Sequence, residues 1–221
     1  MKLRFLQSTY HTRDIASFVF QPEEAISWRA GQSIRLEIPC GFSSDERRFT
    51  ISSAPHEKNI AITTRISDSD FKQALAALTP GAIIDGYAIE GNFLWYHETS
   101  PKLFIAGGLG ITPYYALLKD RIFHQQPISA KLVYIAPKHE QLFKTEFLQW
   151  QADHAEFLVG LLENRTALED TLQAELSNDQ LHTIYLSGSP RMVRSLYHLA
   201  AQQRPDIRIF TDSFSGYHFD L

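Results

Sequence analysis

The stretch Leu103–Pro113, LFIAGGLGITP, restricts the fold of this chain more than any other. The apolar run Leu103-Phe104-Ile105-Ala106 gives way to Gly107-Gly108-Leu109-Gly110, then to Ile111-Thr112-Pro113, then to apolar side chains at Tyr114, Leu117, Leu118 and Ile122. That order reads as strand, tight glycine turn, helix. Pro113 suits a first helical turn, where a missing N–H costs nothing, and Thr112 is a candidate N-cap. Bare glycine backbone at the positive end of a helix lets a phosphate approach the amides. Many α/β domains turn from strand to helix in this way without binding anything, so the motif needs company before it speaks for a ligand.

After Pro101, strands and helices alternate: LFIA, Tyr114–Phe123, KLVYIA, Leu142–Gln151, EFLVGLL, Leu168–Leu176, HTIYLS, Met192–Gln202 and IRIF. This predicts a parallel sheet with helices on both faces and ligands at the carboxyl ends of its strands. Before that point the pattern is short and β-like, through LRFL, SFVF, SIRLEIP, FTISS and IAITTRI, with turn-forming pieces between, as in an antiparallel barrel. One helix interrupts it, Ser69–Leu78, with Ser69 placed to cap it and Pro80-Gly81 to end it. The polar piece His97–Pro101 marks a boundary, giving a β-barrel domain over 1–98 and an α/β domain over 99–221.

Composition excludes several function classes. Among 221 residues, 44% are hydrophobic, enough for a proper core, and the net charge of −4 gives no basic field for nucleic acid or an anionic membrane surface. A single cysteine, Cys40, builds no disulfide, zinc site or iron–sulfur cluster, which makes the cytoplasm the default compartment. No apolar run approaches the ~20 residues of a membrane span, and the histidines form no H-E-x-x-H, so no metal site is expected. A G-x-S-x-G elbow is also missing, which argues against a serine nucleophile.

Two further stretches stand beside the glycine turn. In Arg47-Arg48-Phe49-Thr50-Ile51-Ser52-Ser53, strand alternation sends Phe49 and Ile51 one way and Arg48, Thr50 and Ser52 the other; the plain reading is an edge strand with cationic ends. In Leu186-Ser187-Gly188-Ser189-Pro190-Arg191-Met192-Val193 a second strand turns tightly into a helix. Together and in this order the three sites resemble the ferredoxin–NADP reductase family of flavoproteins, with its R-x-Y-S/T, G-G-x-G-I/V-T/S-P and C-G-P-x-x-M motifs. Gly31-Gln32 and Gly91-Asn92-Phe93 extend the resemblance over nearly the whole chain.

The resemblance implies FAD in the barrel domain and NADPH or NADH in the other. Flavin contacts carry over to Arg47, Phe49, Thr50, Ile51, Thr64, Ser69, Phe71 and Lys72. Arg47 meets the phosphates, Phe49 packs on the isoalloxazine, and Thr50 offers its hydroxyl to the flavin N5. Amides at the start of the Ser69–Leu78 helix also face the phosphates, although Ser69-Asp70-Phe71-Lys72 only loosely matches the family's G-x-x-S. Nucleotide contacts carry over to Gly108, Gly110, Thr112, Pro113, Gly188, Ser189 and Met192. Ser187 replaces the family cysteine beside the reacting carbon, losing its polarizable sulfur, and Ala88-Ile89 replaces Gly-Pro in the last barrel turn.

The aromatic tail Phe210–Leu221 offers Phe214 or Tyr217 as a ring over the flavin face, unless it simply docks the terminus. Lys138, His139 and Lys144 follow the second strand of the α/β domain and lean the reading towards NADPH, with Glu140 and Glu146 beside them. The expected function is transfer of hydride from NAD(P)H, with electrons passed to an external ferredoxin, flavodoxin, oxygenase or ferric chelate. The alternative is a flavin-binding electron-transfer or regulatory subunit without nicotinamide turnover of its own.

Overall fold

Strand alternation places aromatic and branched side chains on one face of the first six strands. In the computed structural model, which describes residues 1–40, 43–96 and 100–214, these are β1 (Lys2–Tyr10), β2 (Ile15–Pro22), β3 (Ser33–Cys40), β4 (Ser43–Thr50), β5 (Ile60–Arg65) and β6 (Ile83–Glu90). They form an antiparallel sheet in the order β4-β3-β6-β1-β2-β5. A bridge from Ile51 to Ile62 ties the end of β4 to β5 at the opposite edge, so the sheet curls on itself as a barrel. Phe5, Phe18 and Phe20 pack inside it, with ring centroids 6.2 and 5.6 Å from Phe5. Phe71 and Leu75, one turn apart on α1 (Asp70–Ala76), join the same core.

That helix is shorter than the Ser69–Leu78 expected. It stops at Ala76 because Pro80 disfavours helical backbone at Thr79, and Thr79–Ala82 forms a turn with Gly81 at φ +93°. Ser69 stands at the N-cap position, but its hydroxyl makes no capping bond and lies 3.4 Å from that of Ser67. On β6, Ala88 and Ile89 oppose the single residue Ile34 of β3, a bulge in which Ala88 takes φ +49°.

The later strands β7 (Lys102–Gly107), β8 (Ala130–Ile135), β9 (Phe157–Leu162), β10 (Thr183–Gly188) and β11 (Arg208–Ser213) form a parallel sheet. Its order is β11-β10-β7-β8-β9. The helices are α2 (Thr112–Phe123), α3 (Lys144–Asp153), α4 (Arg165–Leu176) and α5 (Pro190–Gln203). β7 and β10 are buried along their length, as expected of strands covered on both faces. Leu103, Ile105, Ile184 and Leu186 pack with α4 and α5, whereas Phe104 turns the other way, its ring 4.9 Å from Tyr114 and 5.2 Å from Tyr185.

Contacts divide the chain into two compact units, Met1–Trp95 with Tyr115–Phe123, and Tyr96–Tyr114 with His124–Leu221. Among the described residues, no helix is long and apolar enough to cross a membrane.

Candidate functional site

In the parallel sheet the chain enters at β7, moves outward through β8 and β9, then crosses back to β10 beside β7. The β7/β10 pair is therefore the point where the strand order reverses, and the crevice at the carboxyl ends of such strands takes ligands. Both glycine turns lie there. β7 ends at Gly107 and passes through a 3₁₀ turn, Gly108–Ile111, into α2. β10 ends at Gly188, whose φ of +153° disfavours an L side chain, and Ser189 then caps α5, its hydroxyl accepting from the Met192 N–H at 3.4 Å.

The two turns pack backbone to backbone. A Cβ on Gly110 would lie 2.3 Å from the Ser187 carbonyl oxygen, and one on Gly188 only 2.7 Å from the Met192 methyl. Beside them opens a cavity of about 150 Å³, lined among others by Gly108, Pro137, Arg165, Ser189, Arg191 and Met192. Arg165, at the start of α4, donates from Nε to Glu169 Oε1 at 3.0 Å and from Nη2 to Ser195 Oγ at 3.0 Å, which fix its guanidinium plane. Arg191 is exposed on the first turn of α5.

Of the nucleotide residues expected from sequence, Gly108, Ser189 and Met192 line this cavity. Gly110, Thr112, Pro113, Ser187 and Gly188 stand in the two turns behind it. Thr112 does not cap α2: it is already the first residue of the helix, and its hydroxyl donates back to the Leu109 carbonyl at 3.1 Å. Ser187 is fully buried, and its hydroxyl has no hydrogen-bond partner among the described residues. Lys138 and His139 lie in a separate 3₁₀ turn, Lys138–Glu140, outside the lining; the His139 side chain is 78% exposed and 3.7 Å from Glu140. The cations at the cavity are Arg165 and Arg191, which sequence reasoning passed over. Their signals were an arginine directly after the N-cap Asn164, and the arginine within the SGSPRM turn. Phe214 arrives at the second turn, its backbone N–H donating to the Gly188 carbonyl at 3.0 Å, and its side chain is half-buried. Tyr217 lies outside the described residues.

The barrel unit holds the other group of expected site residues. On β4, Arg47 and Phe49 share one face, and Arg48 and Thr50 the other. The Arg47 guanidinium donates to Asp45 Oδ1 at 2.5 Å and to the Glu46 carbonyl at 2.8 Å, and lies 5.8 Å from the Phe71 centroid. The Phe49 and Phe71 rings are 5.7 Å apart. Lys72 reaches the same spot, its ammonium 4.4 Å from the Phe49 centroid and bonded to the hydroxyl of Thr64. Burial, and then the nearby charge of Arg47, pull Lys72 down to about 7. Thr50 and Thr64 are buried, and Ile51 and Phe71 belong wholly to the core. Arg47 and Lys72 thus bring two positive charges against the Phe71 and Phe49 rings, an arrangement that suits a bound polyanion.

The comparisons with known proteins follow the same lines. Residues 104–198 match the family model described as Oxidoreductase NAD-binding domain. Dual oxidase 2 of Homo sapiens is 30% identical over 114 residues, which is 47% of this chain and 7% of that protein. A flavohemoprotein of Burkholderia sp. (strain TH2) is 27% identical over 120 residues, 52% of this chain and 30% of its own length. The chain thus spans under a third of these relatives. A ferredoxin NADP+ reductase from Neisseria gonorrhoeae, solved with bound FAD and NADP, superposes with TM-score 0.78 at 17% identity, covering 96% of this chain and 98% of the other. The Amycolatopsis cytochrome P450 reductase gives TM-score 0.81 at 17% identity, over 97% and 70%. Residues 104–198 are thus similar to an oxidoreductase NAD-binding domain, and the chain as a whole has the two-part fold seen in the ferredoxin NADP+ reductase structure.

Proposed function

We propose that the protein is an FAD-dependent oxidoreductase that takes hydride from NAD(P)H and passes electrons to a separate acceptor. The observation that carries this reading is the cavity at the carboxyl ends of the central parallel strands, lined by two glycine turns and two arginines, within the segment that matches the NAD-binding domain. The neighbours solved with FAD and NADP support the same cofactor pair. Residues 99–221 take the nucleotide, and residues 1–98 take the flavin. Arg165, held by Glu169 and Ser195, and the exposed Arg191 offer two positive charges, which favours the extra phosphate of NADPH over NADH.

Bound flavin supplies the exchange between a two-electron hydride donor and a one-electron acceptor. The chain's own residues hold and shield it. Arg47 binds phosphate, Phe49 lends an apolar surface, and the glycine turns admit the nucleotide to bare backbone. The acceptor is external, a ferredoxin, flavodoxin, oxygenase or ferric chelate; the similarity to a P450 reductase and to a flavohemoprotein favours a haem protein. The cytoplasm is the compartment proposed.

The test is spectroscopic. Protein purified or reconstituted with FAD should be yellow and bleach when NADPH is added without oxygen, faster than with NADH. A protein that binds FAD but stays yellow with both nucleotides is an electron-transfer subunit instead. One that cannot be reconstituted with FAD overturns the flavin reading altogether.

A further inference from the structure

Tyr114 lies in the first turn of α2, where the sequence reads as one apolar residue among several on a helix face. Its ring is fully buried and stacks on Phe104, with centroids 4.9 Å apart. A phenylalanine would fill that place equally well, so packing does not account for the hydroxyl. That hydroxyl donates to the Ile105 carbonyl at 2.9 Å and to the Tyr185 carbonyl at 2.8 Å. A phenol carries one proton, which the two acceptors share.

Ile105 belongs to β7 and Tyr185 to β10, and the two strands pair with Ile105 beside Leu186. The shared proton therefore ties the backbones of the two central strands, on the face turned away from α4 and α5. Ladder bonds between parallel strands are slanted and hold less firmly per residue than antiparallel ones, so a tie from outside the ladder adds to what fixes the slide of one strand along the other. Just beyond the tie the two glycine turns meet: a Cβ on Gly110 would strike the Ser187 carbonyl, and one on Gly188 would lie 3.2 Å from the Gly107 carbonyl oxygen. Burial, and then the charge of Asp212 on β11 opposite Ser187, raise the proton affinity of the phenol well above its ordinary value. The hydroxyl stays a donor throughout the neutral range.

Resting on the reading that the crevice at β7 and β10 takes the dinucleotide, we propose that Tyr114 is a positioning residue for hydride transfer: its hydroxyl sets the register of the two glycine turns, and with it the place of the nicotinamide half of NAD(P)H. It is buried behind the turns and acts through their backbone. The adenosine half, whose extra phosphate goes to Arg165 and Arg191, does not need this tie.

The test compares full-length, FAD-loaded wild type with Tyr114→Phe, which keeps the ring, and with Tyr134→Phe. Tyr134 is another buried phenol of the same unit, on β8; its hydroxyl donates to the Glu140 carbonyl at 3.1 Å and accepts from the Leu142 N–H at 3.2 Å, away from β7 and β10. In stopped flow at saturating NADPH, flavin reduction in Tyr114→Phe should be about tenfold slower. Its Kd for NADP⁺ should rise about fivefold, the equivalent of one hydrogen bond. Its Kd for adenosine 2′,5′-bisphosphate, which has no nicotinamide, and its FAD content should match wild type. Tyr134→Phe should keep the wild-type reduction rate whatever its melting temperature. A further readout needs no variant: in wild type, amide exchange at Gly108–Ile111 and at Gly188–Ser189 should slow together when NADP⁺ binds, because the two turns are held as one.

Wild-type reduction by Tyr114→Phe, whatever its melting temperature, would make the tie a stability bond only. That result, equal slowing in Tyr134→Phe, weaker adenosine bisphosphate binding in Tyr114→Phe, or protection confined to one turn would each overturn the positioning role while leaving nucleotide binding intact. A wild-type protein that binds neither NADP⁺ nor adenosine bisphosphate would instead overturn the nucleotide reading on which it rests.

Discussion

The α-carbon of Gly110 faces the carbonyl of Ser187 so closely that a Cβ would lie 2.3 Å from the oxygen and 2.5 Å from its carbon. Backbone cannot yield as a flexible side chain would, so the turn after β7 and the end of β10 hold each other in register. Gly110→Ala should destabilise the nucleotide-binding unit by about 1–3 kcal/mol and weaken NADP⁺ binding with it. Thermal melts and nucleotide titration of the variant check both; an unchanged melt would mean that the two turns are free to move apart.

Arg47 and Arg48 point to opposite faces of β4, and only Arg47 shares a face with Phe49 and reaches the Phe71 ring. Arg47→Ala should lose about 2–4 kcal/mol of FAD affinity, whereas Arg48→Ala should retain its flavin. Flavin content after gel filtration distinguishes them, and equal loss in both would sink the assignment.

The buried Ser187 hydroxyl has no hydrogen-bond partner among the described residues. A buried polar group left unpaired costs about 1–3 kcal/mol, so Ser187→Ala should be as stable as wild type or more so. Ser187→Cys changes volume little and should alter the rate of flavin reduction by NADPH in stopped flow without altering the melt. Reduction at the wild-type rate would remove the residue from the reaction centre.

Lys72 is held at about 7 in the folded, flavin-free protein, well below its range in an unfolded chain. Between those values the unfolded state binds more protons, so this residue's contribution to stability rises with pH above about 7 and is lost as pH falls through it. The gain should be on the order of 1 kcal/mol per pH unit in the lower end of the window. Denaturant unfolding of flavin-free wild type and Lys72→Met at about pH 7 and about pH 9 reads it, as a difference that narrows or reverses in favour of wild type at the higher pH.

Ala88 holds a left-handed backbone in the β6 bulge, φ +49°, where a Cβ is strained. Ala88→Gly should stabilise the barrel unit by about 0.5–1 kcal/mol, the relief of strain exceeding the added chain entropy of glycine. A lower melting temperature for the variant would show that the methyl's packing outweighs the strain.

Much of this architecture was legible before any coordinates. The run from Leu103 to Ile122 reads as strand, turn and helix because each step is local: an apolar run buried on both faces, glycines where the chain turns sharply, proline within the first helical turn. The parallel order of the later strands follows from their alternation with helices, and the barrel from short alternating runs. The ends of α1 were less legible. Its cap and its last turn depend on competing bonds, as when the Ser69 hydroxyl lies towards Ser67 and the turn around Pro80 cuts the helix at Ala76.

The amino-acid sequence by itself determined the two kinds of sheet, the order of their elements and the glycine turns, because periodicity and turn chemistry act over a few residues. Only the tertiary structure decided that Arg165 and Arg191 line the cavity while Lys138 and His139 stand away, that Ser187 is buried with an unpaired hydroxyl, and that Lys72 lies over Phe49 beside Arg47. Those outcomes depend on which distant strands pair and which faces they bury. A charged or hydroxyl side chain acquires its solvation, its neighbours and its proton affinity from segments far away in the chain.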